Sequence, residues 1–138
     1  MRFRLLVLLG FAVAVVASAA AGAAPIQSCP PRSTGPGALA HGTTAGADCM
    51  LRAYRSQCTP AVYELSSFGV DTVATLRFQL VHRPGSCAID LTRSFRVVPQ
   101  KPRVTGHGEC KALHRTPTDV VAVGCTGSGF PAQVLLTR

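Results

Sequence analysis

Four histidines, six cysteines and six carboxylates are the side chains of this 138-residue chain best equipped for chemistry, and their spacing decides which chemistry is open to them. The densest group is His107-Gly108-Glu109-Cys110. On a strand, residues two apart point the same way, so His107 and Glu109 share a face with Lys111 while Cys110 points to the other. The cysteine therefore cannot join a site built on His107 and Glu109, and the zinc deaminase pattern further requires a C-x-x-C pair that the sequence lacks. Read plainly, the group is the solvated polar face of an edge strand. His41, His82, His107 and His114 show no helical i, i+4 pair around a carboxylate, the spacing of metalloproteases, and there is no G-x-S-x-G nucleophile elbow. An even cysteine count in an oxidising compartment serves crosslinks rather than a Cys–His nucleophile. The sequence predicts no enzyme, no metal site and no cofactor.

The compartment follows from the first two dozen residues. Arg2 and Arg4 precede the apolar run Leu5-Leu6-Val7-Leu8-Leu9, and small residues end at Ala21-Gly22-Ala23. This is a signal peptide over 1–23, and the mature chain is expected to start at Ala24. Two rival readings are an uncleaved anchor, since Leu5 to Ala24 has the length of a span, and a lipidated Cys29. Lipidation would leave an odd number of cysteines, and Gln27 and Pro25 fit it poorly. The expected location is secreted, with no membrane contact after cleavage.

Residues 24–42 are rich in Pro, Gly, Ser and Thr, with Ile26 and Leu39 as the sizeable apolar groups, and read as a flexible tether. The domain proper is 43–138. Thr43-Thr44 can cap a helix, and Ala47, Met50, Leu51, Tyr54 and Cys58 recur at spacings of three and four, which predicts an amphipathic helix from about Ala45 to Gln57, ended by Pro60. From Ala61 the period becomes two. Tyr63 and Leu65 lie on one face, then Ala74, Leu76, Phe78 and Leu80, then Cys87, Ile89, Leu91, Phe95 and Val97, with Arg93 as the exception. A fourth strand spans about Arg103 to Leu113, Thr116-Pro117-Thr118-Asp119 turns the chain, and Val120–Cys125 and Ala132–Thr137 follow. The predicted fold class is α+β, one helix packed on an antiparallel sheet of five to six strands in a cystatin-like layout. A β-sandwich with a peripheral helix is the alternative.

Fifteen pairings are open to six cysteines, and geometry selects among them. Cys110 and Cys125 sit symmetrically about the 116–119 turn, so a hairpin of that register sets them opposite each other. Cys58 shares the helix face of Ala47 and Leu51, and Cys87 shares the strand face of Ile89, which favours Cys58–Cys87. Cys49 is rotated about half a turn from Cys58, faces outward, and is left for Cys29 of the tether.

Trimming the signal leaves twelve basic and six acidic residues, a net +6, with arginines spread along the sequence. No aromatic residues interleave with them as a base-stacking platform would require, so no nucleic-acid partner is expected. Gln79-Leu80-Val81-His82-Arg83-Pro84-Gly85 resembles the Gln-x-Val-x-Gly hairpin loop of cystatins, with the glycine two positions late and no tryptophan for the second cystatin hairpin. That likeness makes Arg83, Pro84, Gly85 and Ser86 a candidate interaction loop. The string Cys49-x4-Tyr54-x3-Cys58-x-Pro60-Ala61, with Gly69-Val70-Asp71-Thr72 and Cys87, Cys110 and Cys125, resembles small exported bacterial proteins of unassigned activity. The resemblance implies an exported α+β domain and supplies no catalytic residues.

Three functions are carried forward. They are a non-enzymatic module binding an extracellular protein or small ligand, a protease inhibitor presenting the 83–86 turn, and a small enzyme or carrier with a helix–sheet pocket. Exposed aromatic groups on the sheet, a protruding hairpin and a deep polar cavity respectively distinguish them. N-terminal sequencing of the secreted protein is expected to read Ala24-Pro25-Ile26; recovery from membranes with Arg2 still present would show an anchor, and a fatty acyl mass on Cys29 a lipoprotein.

Overall fold

The computed structural model describes residues 25–36 and 44–137. The expected signal peptide at 1–23, residues 37–42 of the expected tether and His41 within it lie outside the described residues. Helix α1 spans Ala45–Arg55, with Asp48 in its first turn and Arg52 and Arg55 in its last, each beside the dipole end of opposite sign. The Thr44 hydroxyl caps no backbone amide; it donates to Asp48 Oδ2 at 3.1 Å. Asp48 is also paired with Arg115, whose hydrogen bond holds the carboxyl below its ordinary range. The helix stops at Arg55 rather than Gln57. Gln57 and Cys58 take left-handed φ values of 55° and 57°, so the chain reverses before Pro60 is reached.

The strands are β1 (Gln27–Ser28), β2 (Arg32–Thr34), β3 (Ala61–Phe68), β4 (Thr72–Arg83), β5 (Ser86–Val97), β6 (Arg103–Cys110), β7 (Ala112–Arg115), β8 (Val120–Val123), β9 (Thr126–Gly127) and β10 (Gln133–Leu135). Among the described residues, seven strands form the main sheet in the order β1-β3-β4-β5-β6-β9, with β2 also beside β3. A second sheet of three runs β10-β8-β7. The protein is thus mixed α+β, one helix with a mostly antiparallel sheet. The helix is not peripheral, because Ala47, Met50, Leu51 and Ala53 belong to the same buried cluster as the strands.

Alternation explains that cluster. Ala61, Tyr63 and Leu65 of β3, Phe78 and Leu80 of β4, Ile89 and Leu91 of β5 and Cys110 of β6 point to one face and are buried. The Tyr63 and Phe78 rings lie 5.8 Å apart between centroids. Gly46 lets the helix close on this face, since a Cβ there would stand 2.0 Å from the Pro30 carbonyl oxygen and 2.4 Å from the Tyr63 ring. Leu113, Val120, Ala122, Val134 and Leu136 of the second sheet and the tail beyond it close the core beside the helix.

Two expectations are corrected here. Part of the 24–42 tether is strand, because β1 and β2 run parallel to β3 and Gln27 and Cys29 donate backbone hydrogen bonds of 2.8 Å to the Pro60 and Val62 carbonyls. A segment too polar to form its own core is ordered by another strand's edge. It also covers Cys49, which is buried rather than outward-facing and is bridged to Cys29. The second correction concerns the fourth strand, which divides at Lys111 between the two sheets. The hairpin register nonetheless runs through the bend, from Arg115↔Val120 to Gly108↔Gly127, and Cys110–Cys125 bridges it there. The third disulfide, Cys58–Cys87, ties the end of the helix to β5. These are the three pairs that the spacing selects.

Tyr63 is buried and its hydroxyl donates to the Leu136 carbonyl at 2.7 Å, joining the main sheet to the C-terminal segment. Burial raises its pKa from 10.0 to about 12. The folded value lies above the unfolded one, so this contribution is whole below pH about 10 and is lost as pH climbs toward 12. Chemical denaturation across that range is expected to show the wild type losing up to about 3 kcal/mol that Tyr63→Phe does not lose. At neutral pH the variant is expected to be about 1 kcal/mol less stable, the Leu136 carbonyl having lost its donor.

Candidate functional site

The β4–β5 hairpin has two ends, about 36 Å apart for twelve-residue strands. At one end lie Arg83, Pro84, Gly85 and Ser86. Arg83 pairs with Ser86 across a two-residue turn in which Gly85 takes a φ of 74°, the type II geometry that Pro-Gly favours. The Arg83 guanidinium turns back over the sheet, 2.6 Å from Glu109 Oε2 and 3.3 Å from Asp90 Oδ1. The turn is short and anchored, with little projecting beyond the strands.

Those carboxylates open onto the face of the main sheet away from the helix. Its cross-strand rows are Val62–Gln79–Asp90–Glu109–Thr126 and Glu64–Arg77–Thr92–His107. From Gln79 and Arg77 onward these rows line a shallow cleft of about 460 Å³ with mixed charges. His107 and Glu109 share this face, as the alternation predicts, and Cys110 points to the core. Among the described residues no three His, Cys, Asp or Glu side chains are grouped to hold a metal ion. The helix–sheet seam, where the alternative reading of a small enzyme or carrier places its pocket, holds the fully buried Met50, Tyr63 and Phe78.

The other end of the hairpin has a different chemistry. Six large apolar side chains are exposed among the described residues, and all but Ile26 gather there: Val70, Phe95, Val97, Val98 and Val104. Val70 sits on the β3–β4 turn and is 93% exposed; Val98 sits on the β5–β6 turn and is 51% exposed. The two turns are joined, because the Val98 amide donates to the Asp71 carbonyl at 2.8 Å. Arg96, Lys101 and Arg103 line a notch of about 220 Å³ with Phe95 and Val97. Two arginines and a lysine from one short stretch around the β5–β6 turn thus border the apolar tip.

Phe95 and Val97 are therefore corrections. Their period places them on the face of Ile89 and Leu91, which is right, yet they are 42% and 40% exposed because the core ends before them. Arg93 marks that boundary. Its guanidinium lies over the Phe130 ring, 4.6 Å from the centroid, which explains a charge on an otherwise apolar face. The signal for the tip was available in lengths, since an eleven-residue helix of about 16 Å cannot cover a strand of about 36 Å.

No protein-family model, curated protein or solved structure matches the chain. An apolar tip that the fold does not use should be free to change without loss of stability. Val70→Ser and Val98→Ser are each expected to alter unfolding free energy by less than about 0.5 kcal/mol, whereas Leu91→Ala, in the same hairpin but buried, is expected to cost about 3 kcal/mol; thermal and urea unfolding measure both.

Proposed function

We propose that the protein is an exported, non-enzymatic binding module that engages its target through the distal tip of the β4–β5 hairpin. The observation that carries this reading is the gathering of Val70, Phe95, Val97, Val98 and Val104 at one end, exposed and flanked by Arg96, Lys101 and Arg103. Soluble domains bury apolar side chains or scatter them singly, and a contiguous exposed group marks a contact surface. Export is supported by the basic and apolar start of the sequence and by three disulfides, which suit an oxidising compartment. No helix among the described residues is long and apolar enough to cross a membrane. We also read the layout as cystatin-like, on the strength of one helix packed with a mostly antiparallel sheet in a single buried cluster.

A protease inhibitor would work from the opposite end, so the two readings separate by position. A photo-crosslinking residue placed at Val98 is expected to trap a binding target in the growth medium or at the cell surface, and the same residue at Gly85 is expected to trap none. Crosslinking from position 85 alone would move the function to the 83–86 turn.

A further inference from the structure

We propose that the target of the tip is an anionic lipid surface, into which Val70 and Val98 insert while Lys101, Arg103 and Arg96 hold lipid phosphates; this rests on the tip being the binding end and replaces the sequence expectation of no membrane contact. Three observations converge on a bilayer rather than a protein. The first is the distribution of apolar groups around the tip. Val104 pairs with Ser94 and Phe95 with Arg103, so Val104 lies on the sheet face opposite Phe95 and Val97, while Val70 and Val98 occupy the end itself. A protein partner docked on one face would leave the others in water. A medium that surrounds the tip covers them all.

The second observation is the order of chemistry along the hairpin. The most exposed apolar residue, Val70 at 93%, lies on the β3–β4 turn, Arg96 and Arg103 lie behind it on the strands beside Phe95 and Val97, and Lys101 shares the β5–β6 turn with Val98. This matches the order met on entering a membrane, acyl chains beyond and phosphates behind. The third is charge. Three cations face one acid, Asp71, at this end, so zwitterionic lipid gives less attraction than anionic lipid, and the contact must weaken with salt. The hydrogen bond between the two turns holds the apolar pair together, so little ordering remains to be done on insertion.

Vesicle co-sedimentation tests this with the oxidised chain as recovered from the expressing cell. The vesicles are phosphatidylcholine with or without about a third phosphatidylglycerol. Binding is expected on the anionic vesicles alone and to fall with added salt. Basic residues at an anionic surface contribute roughly fivefold each, so the charge reversal K101E/R103E is expected to lower binding at least about tenfold. V70D/V98D is expected to abolish it. Both variants keep the same N-terminus, so binding by residues 1–24 would survive in them and overturn the proposal. Equal binding to both vesicle types, or none to either, would also overturn it. If neither vesicle is bound and position 98 still crosslinks to a protein, the lipid assignment falls and the tip remains the binding end. If position 98 crosslinks to nothing as well, both fall. Circular dichroism and thiol counting establish that each variant is folded and oxidised before it is scored.

Discussion

The mismatch in length between one helix and one hairpin organises this molecule. Helix α1 rises about 16 Å, the β4–β5 hairpin about 36 Å, and a helix can shield only the strand it lies on. The second sheet extends the cover at the proximal side, where Leu113, Val120 and Leu136 meet Phe78, Ile89 and their neighbours in one buried cluster. Beyond Leu91 cover runs out. Arg93 turns its charge over Phe130 there, and the apolar alternation continues past it into solvent at Phe95 and Val97. Core and contact surface are successive parts of one alternating strand.

The disulfides are part of the core and reinforce it where the chain turns or changes sheet. Cys58–Cys87 holds the helix end at the point where two non-glycine residues take left-handed geometry, a conformation that costs free energy unless its surroundings impose it. Cys29–Cys49 fixes a polar segment along the edge of β3, protecting that edge from pairing with another chain. Cys110–Cys125 sits where a hairpin bends from one sheet to the other and local pairing is interrupted. In each case the crosslink restricts the unfolded chain and so favours the folded one.

Much of this arrangement was legible in the sequence because it follows from period and symmetry. The helix face, the alternation of β3 to β5 and the Cys110–Cys125 and Cys58–Cys87 pairs follow from spacing, since facing positions in a hairpin or on a helix are fixed by counting, and Cys29–Cys49 is the pair left over. What the period does not show is where a face stops being covered. Phe95 and Ile89 are indistinguishable by period, and only the length of the covering element separates them. The order in residues 25–36 was equally hidden, because the acceptors that fix this polar segment are backbone carbonyls at and beside a strand thirty residues away, and backbone groups leave no trace in side-chain pattern. Cation–π contact between Arg93 and Phe130 belongs to the same class, a pairing across 37 positions with no local signal.

The charges complete an asymmetry that the apolar groups begin. Glu64, Asp90 and Glu109, half of the protein's six acids, lie on the open face toward the proximal end and are balanced there by Arg77 and Arg83. That face is close to neutral and wet, and its carboxylates are held by an exposed guanidinium, a contact worth little to stability. The distal end keeps its cations, with Asp71 alone opposing Arg96, Lys101 and Arg103. Arg52 and Arg55 on the helix, with Lys111 and Arg115 beyond the main sheet, leave the rest of the molecule basic as well, so net charge alone does not choose between the ends. What separates the distal end is that its cations stand beside exposed Val70 and Val98. Charge and apolar surface meet there because the helix that builds the core is too short to cover the whole β4–β5 hairpin.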